Sequence, residues 1–394
     1  MDATTYQDYV NILHEELVPA MGCTEPIAIA YAAAVARQTL GRPAQRMEVE
    51  ASGNIIKNVK SVFVPNTGGL RGIPAAAAAG MAAGDPALEL EVLSSIGEGE
   101  QAAIRQYLAD TPIAVKLADS PFIFDIAIRA WAGEDSALVR IVNYHTNIVR
   151  VERNGQVLKE VEAQAAAEEG LTDKSVLTVE GILEFAREAA LADVEEAVGR
   201  QVRYNTAIAQ EGLRGDYGAN IGKVLLATYG DDVKIRAKAM AAAGSDARMN
   251  GCGLPVVIVS GSGNQGLTAS LPVVEYAKEL GADWETTLRA VLVSDLITIH
   301  LKAEIGRLSA YCGAVSAGCG SGAGIAWLYG REKEPQALLK DVSHTIVNAL
   351  AVDSGIVCDG AKASCAAKIA SAVDAGLLGF YMYQNGQQFR GGDG

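Results

Sequence analysis

Six cysteines in 394 residues are the first place to look for chemistry. Cys312 and Cys319 lie in S-A-Y-C-G-A-V-S-A-G-C-G-S-G-A-G, Cys358 and Cys365 in D-S-G-I-V-C-D-G-A-K-A-S-C, and in both pairs six residues separate the thiols. Cys23 stands in M-G-C-T-E-P, and Cys252 sits between two glycines. No C-x-x-C occurs, which removes zinc ribbons, thioredoxin-like redox pairs and the common ferredoxin spacing. Seven positions along a helix put two side chains on one face but roughly 10 Å apart, so both reach one metal ion only where the backbone breaks. Asp359-Gly360 supplies such a break in the second pair, and the Gly-Ala-Ser run could do so in the first. A free cysteine is otherwise a small buried hydrophobe, a role that suits Cys252 as well as any other.

A second constellation lies upstream. Ser260-Gly261-Ser262-Gly263-Asn264-Gln265-Gly266 precedes a helix expected to begin near Leu267, so its backbone N–H groups and polar side chains would face an anion. A substrate carboxylate fits, with Ser260, Ser262, Asn264 and Gln265 as the candidate contacts. The S-x-G-N-x-G pattern also resembles the asparagine loop with which pyridoxal-phosphate β-eliminases of the tryptophan-synthase type grip an amino-acid carboxylate. Helical flanks and the absence of a following glycine-rich phosphate cup weigh against that cofactor. N-T-G-G-L-R-G-I-P reads either as a plain hairpin loop or as a second carboxylate contact through Asn66 and Thr67. His145, in Y-H-T-N at a strand break, is a candidate acid or proton relay. His14, His300 and His344 fall in helical patterns and read as structural.

The elements that must position these groups follow from periodicity. Y-V-N-I-L-H-E-E-L-V and P-I-A-I-A-Y-A-A-A-V-A-R-Q-T-L predict two helices before Gly41-Arg42-Pro43. From Met47 the period becomes two, in M-E-V-E-A-S-G, V-K-S-V-F-V, P-I-A-V-K-L-A, F-I-F-D-I-A-I-R-A-W, A-L-V-R-I-V-N-Y and N-I-V-R-V-E-R-N-G, with helices expected near Ile73–Ala83 and Glu98–Leu108. The acidic stretch after Val161 reads as a linker or exposed helix, and beyond Ser175 nearly everything has helical period. The expected architecture is α+β: a mainly helical catalytic part from residues 1–45 and 176–394, with residues 46–175 inserted as a small α+β domain with a mostly antiparallel sheet. The Gly, Ser and Cys clusters read as loops that interrupt the helices, or as tight helix crossings on small residues.

Composition bounds the partners. Hydrophobic residues make up 49% and charged residues 20%, which places the chain among folded globular proteins. A net charge of −14 argues against nucleic acid or an anionic membrane surface and for a small-molecule ligand. The N-terminus has no basic and apolar leader pattern, and no uninterrupted apolar stretch of about 20 residues is present, so the expected location is the cytoplasm. There thiols stay reduced, and metal binding or catalysis outranks crosslinking. The alanine-rich helices could support a homodimer.

M-G-C-T-E-P-I-A, S-G-S-G-N-Q-G-L-T-A-S-L-P-V, the Cys-Gly segment and the late C-x6-C together resemble the oxygen-sensitive iron-sulfur L-serine dehydratases, and more closely their single-chain relatives, the L-cysteine desulfidases. The resemblance runs over most of the helical part. It implies a 4Fe-4S cluster held by three cysteines, which by position are Cys312, Cys358 and Cys365, with Cys319 the rival for the first place. It also implies Cys23 as a catalytic base, and a thiolate base needs a lowered pKa, which the start of the following helix could supply. The implied activity is elimination from L-cysteine to give pyruvate, ammonia and sulfide; the alternatives are dehydration of L-serine and a non-catalytic iron-sulfur redox sensor.

Overall fold

The structure is a computed structural model and describes residues 1–163, 171–306, 309–390 and 393. Most of the expected linker, from 164 to 170, lies outside the described residues. In chain order the elements are α1 (Ala3–Glu16), β1 (Pro19–Met21), α2 (Thr24–Leu40), β2 (Arg46–Ala51), α3 (Gly53–Val59), α4 (Gly72–Ala83), α5 (Glu98–Asp110), β3 (Ile113–Leu117), β4 (Asp125–Ala132), β5 (Asp135–Val142), β6 (Ile148–Arg153) and β7 (Gln156–Glu160). They continue as α6 (Val179–Glu188), α7 (Leu191–Arg214), α8 (Ile221–Tyr229), α9 (Val233–Met249), β8 (Pro255–Val257), α10 (Gly263–Glu279), α11 (Trp284–Ala303), α12 (Ala314–Gly330), α13 (Pro335–Val352) and α14 (Cys365–Gln384).

The chain is mainly helical with one six-stranded sheet in the order β3-β2-β4-β5-β6-β7. Only β2 and β3 run parallel; the other neighbours are antiparallel. Alternation decides the faces: Met47, Val49, Ala51, Ile126, Ile128 and Val139 are buried, whereas Glu48, Glu50 and Arg129 point the other way. The buried face is covered by α2, which packs on α4 and across β4 and β5. Thus α2, expected with the helical part, lies against the sheet, while α1 packs on α7. The V-K-S-V-F-V segment does not form the expected strand: it begins at the end of α3 and turns through a Phe63–Arg71 bridge.

In the helical part α12 packs against α10, α11, α13 and α14. The sequence left its glycines open between an interrupting loop and a tight helix crossing, and Ala314–Gly330 is one continuous helix. The reason is close approach. A Cβ at Gly318 would fall 2.2 Å from the Ala372 carbonyl oxygen of α14, and one at Gly320 would fall 2.2 Å from Thr298 Oγ1 of α11. The propensity cost of about 1 kcal/mol per glycine is offset by packing that no larger residue permits. By length and composition α14 is apolar enough to cross a membrane, and 56% of its most apolar window is buried within the fold.

Candidate active site

Two short pairings assemble the site. β1 pairs antiparallel with β8 through Ala20 and Val256, which brings the M-G-C-T-E-P turn beside the loop that enters α10. Far along the chain, Tyr311 and Val357 form an isolated antiparallel bridge, flanked by Cys312 N donating to Ile356 O at 2.8 Å and Cys358 N donating to Ala310 O at 2.7 Å. This bridge aligns Cys312 with Cys358 without any C-x-x-C. Gly360, with φ at +108°, then turns the chain so that Cys365 opens α14.

One cavity is lined by Cys23, Glu25, Asn58, Arg248, Ser262, Asn264, Gln265, Lys302, Cys312, Cys358 and Cys365, among others. It therefore gathers Cys23, three of the four candidate residues of the glycine loop, and three of the four late cysteines. Ser260 is buried with φ at +46° and shapes the loop without lining the cavity. Cys319 is buried inside α12, where burial pushes its thiol up to about 12, and it does not line the cavity. Cys252 is likewise buried, beyond the end of α9.

Asn66 and Thr67 do not reach the cavity. Asn66 Nδ2 donates to Leu93 O at 3.0 Å, beyond the hairpin loop, and the Thr67 hydroxyl donates to Val64 O at 2.7 Å within it, so both are engaged away from the cavity. His145 lies in the turn between β5 and β6, buried with its ring edge on Phe124. It stands behind the cavity wall rather than on it, close enough for its charge to act on Glu25.

Cys23 caps the N-terminus of α2, as the sequence implied, but its thiol is not the acidic one expected. Burial raises its pKa well above the ordinary thiol value, the Glu25 carboxylate raises it further, and Arg248 opposes both. Two residues on, Glu25 Oε2 accepts the Cys23 thiol proton at 2.9 Å, while Asn58 Nδ2 of α3 donates to Glu25 Oε1 at 2.8 Å. Burial alone would raise the Glu25 pKa, but His145, the thiol, its own amide and Asn58 together hold it below the usual carboxylate value. The pair is thus a protonated thiol against a fixed carboxylate, because a helix N-terminus cannot outweigh full burial beside a negative charge.

The thiol side carries its own cations. Burial raises the Cys312 and Cys365 pKa values and neighbouring thiols add to this, while Lys368 opposes both shifts. Lys302, 3% exposed, has its pKa lowered by burial, and Cys312 and Cys358 act against that shift. Lys368 Nζ also bonds Asp359 Oδ1 at 2.7 Å, and Lys362 pairs with the same carboxylate. All six cysteines are free. Among the described residues no three His, Cys, Asp or Glu side chains could share a single metal ion. A polynuclear cluster places its ligand sulfurs further apart than one ion does, so a wider ring of thiols suits that kind of group.

Comparison with known proteins follows the same lines. A family model described as the serine dehydratase alpha chain matches residues 87–392. A UPF0597 protein of Desulfitobacterium hafniense is 59% identical over 389 residues, covering 99% of this chain and 89% of that protein. One of Lachnoclostridium phytofermentans is 52% identical over 389 residues, with 99% and 92% covered, and one of Treponema denticola is 45% identical over 403 residues, with 100% and 91% covered.

Proposed function

The chain belongs to the UPF0597 family and carries a serine dehydratase alpha chain domain, and from that premise we propose that it is an amino-acid lyase that eliminates the β-substituent of L-cysteine. The products are pyruvate, ammonia and hydrogen sulfide. The observation that carries this reading is the single cavity shared by the Cys23–Glu25 pair, the start of α10 and Cys312, Cys358 and Cys365.

Three free thiols on one wall, with Lys302 and Lys368 beside them, suit an iron-sulfur cluster held by Cys312, Cys358 and Cys365. When bound, such a cluster supplies an open iron as a Lewis acid for the departing sulfur or oxygen. The chain's own residues do the rest. The first-turn amides of α10, with Asn264 and Gln265, orient the α-carboxylate. The thiol proton, which rests on sulfur, must pass to Glu25 as substrate binds before the Cys23 thiolate can remove the substrate's α-proton. The electron pair of that C–H bond becomes the new Cα–Cβ double bond as the Cβ–S bond breaks, and the sulfur leaves with its pair. The aminoacrylate then tautomerises to an imine and takes up one water to give pyruvate and ammonia.

Dehydration of L-serine is the second reading, favoured by the description of the matched domain; it uses the same base and grip with hydroxide as the leaving group. The test is anaerobic purification, iron and acid-labile sulfide analysis, and sulfide and pyruvate assays with each amino acid. A brown, oxygen-labile protein releasing sulfide and pyruvate from L-cysteine is expected. Pyruvate from L-serine alone moves the assignment to the dehydratase, a cluster without turnover to the sensor, and a colourless protein with a pyridoxal-like band overturns the iron-sulfur reading.

A further inference from the structure

Arg248 is assigned no role by the reading above, and its setting is unusual. It lies in the last turn of α9, is 4% exposed and lines the cavity. Its Nε is buried without a hydrogen-bond partner, and among the described residues its guanidinium meets no carboxylate. A buried, unpaired guanidinium is unfavourable unless an anion meets it, because nothing replaces the water it has lost.

Three neighbours say where that anion sits. Arg248 presses against the first residue of α10, where a Cβ at Gly263 would fall 2.4 Å from Nε. Ser262 caps α10 without a side-chain bond, so the first-turn amides are open as well. Gln265, 3% exposed, and Asn264 each leave a buried side-chain oxygen unbonded beside them, acceptors that suit the ammonium group carried next to an α-carboxylate. On the far side, Arg248 is the cation that acts on the Cys23 thiol, and it also acts on Cys365. Lys302 and Lys368 also act on the late thiols, although at Cys365 Arg248 acts more strongly than Lys368, so Arg248 stands between the base and the thiol wall.

We propose that Arg248 binds the free α-carboxylate of substrate and product, together with the first turn of α10, and that it makes the site reject amides, esters and decarboxylated amines. This rests on the lyase reading for the identity of the ligand, though not for its charge. A planar guanidinium offers two parallel N–H donors to a carboxylate, which neither a lysine nor a neutral side chain reproduces. The same contact retains pyruvate, so product inhibition belongs to the same residue.

The test uses the full chain with its metal content intact, as parent, Arg248→Lys and Arg248→Met. Binding of pyruvate, L-serine and L-serinamide is followed by calorimetry and thermal shift, and kcat and KM are measured with L-cysteine and L-serine. The parent should bind the two carboxylates and not the amide. R248M should weaken both carboxylates by roughly a hundredfold, the scale of one charged hydrogen-bonding partner, with R248K between, and iron content unchanged. Should R248M fail to fold, R248K carries the same comparison. If the parent binds the carboxylates and both variants bind them equally, the assignment of Arg248 falls while the lyase reading stands. Iron lost from the variants places Arg248 with the metal group and also overturns it. Arginine-dependent carboxylate binding without turnover keeps the assignment and removes the lyase, and a parent that binds no carboxylate overturns both.

Discussion

The Cys23 thiol donates to Glu25 Oε2 at 2.9 Å, two residues apart at the mouth of α2, and this contact fixes where the proton rests in the cavity. Because the carboxylate is held below its ordinary pKa and the thiol well above its own, the resting proton stays on sulfur.

Replacing Glu25 with Gln should therefore have two effects of opposite sign. Turnover should fall by about 10²–10⁴-fold, the usual scale of a positioned acid-base group. The Cys23 pKa should fall towards the normal thiol range, since the negative neighbour is gone, and alkylation of Cys23 followed by peptide mass spectrometry should quicken at fixed pH. Slower alkylation in the variant would show that Glu25 does not restrain the thiol.

Serine at Cys312, Cys358 or Cys365 should each abolish iron binding, whereas alanine at Cys319 should leave the iron content intact. Cys319→Ala should cost only stability, about 1 kcal/mol for the small cavity left in α12. Metal analysis and urea unfolding separate the two classes. Loss of iron in the Cys319 variant with retention in the Cys312 variant would exchange their roles.

Gly318→Ala tests the helix crossing. Alanine gains about 1 kcal/mol of helix propensity, but its Cβ would sit 2.2 Å from a backbone oxygen that cannot swing aside. Overpacking costs of about 1–3 kcal/mol should win, and the melting temperature should drop. A rise would mean that α12 and α14 can part without penalty.

Asp295 gives a pH signature away from the cavity. It is fully buried in α11, and burial pushes its pKa up to about 8 although Gln201 Nε2 donates to it at 2.9 Å. Between the unfolded carboxyl pKa, about 4, and 8 the folded state holds a proton that the unfolded state has lost. Stability from this residue consequently declines as pH rises through that window, by an amount on the order of several kcal/mol. Asp295→Asn removes the titration, so urea unfolding should show the variant gaining on the parent from pH 5 to pH 8. A constant difference across that range would refute the burial argument.

How much of this was legible in the sequence depends on the range over which each signal acts. Strands β2 to β6 were readable because alternation is local, and α4 and α5 because their helix-forming composition is. The glycines of α12 left a loop and a tight helix crossing both open, since the sequence displays their local cost and hides the compensating neighbours in α11 and α14. The late thiols were visible as a group, but that Cys312 rather than Cys319 lines the cavity depends on the Tyr311–Val357 pairing, a contact between segments that no periodicity marks. Glu25 stood in the quoted motif unremarked because its meaning depends on Asn58, carried by a seven-residue helix too short to leave a pattern. Arg248 was missed for a similar reason: at a helix end it reads as an ordinary partner of the dipole, and only its burial sets it apart.

The Tyr311–Val357 bridge also has a bearing on how the protein matures. Two backbone bonds flank it, and both bridge residues are largely exposed, at 62% and 69%. The opposite wall, fixed by the β1–β8 ladder and the buried start of α2, has no such seam. On the proposed iron-sulfur reading, the thiol wall is therefore the side that opens to receive a metal group, while the Cys23–Glu25 side keeps its shape. Hydrogen exchange at the amides of Cys312 and Cys358 should outpace that at Val257 before iron is loaded and slow markedly afterwards.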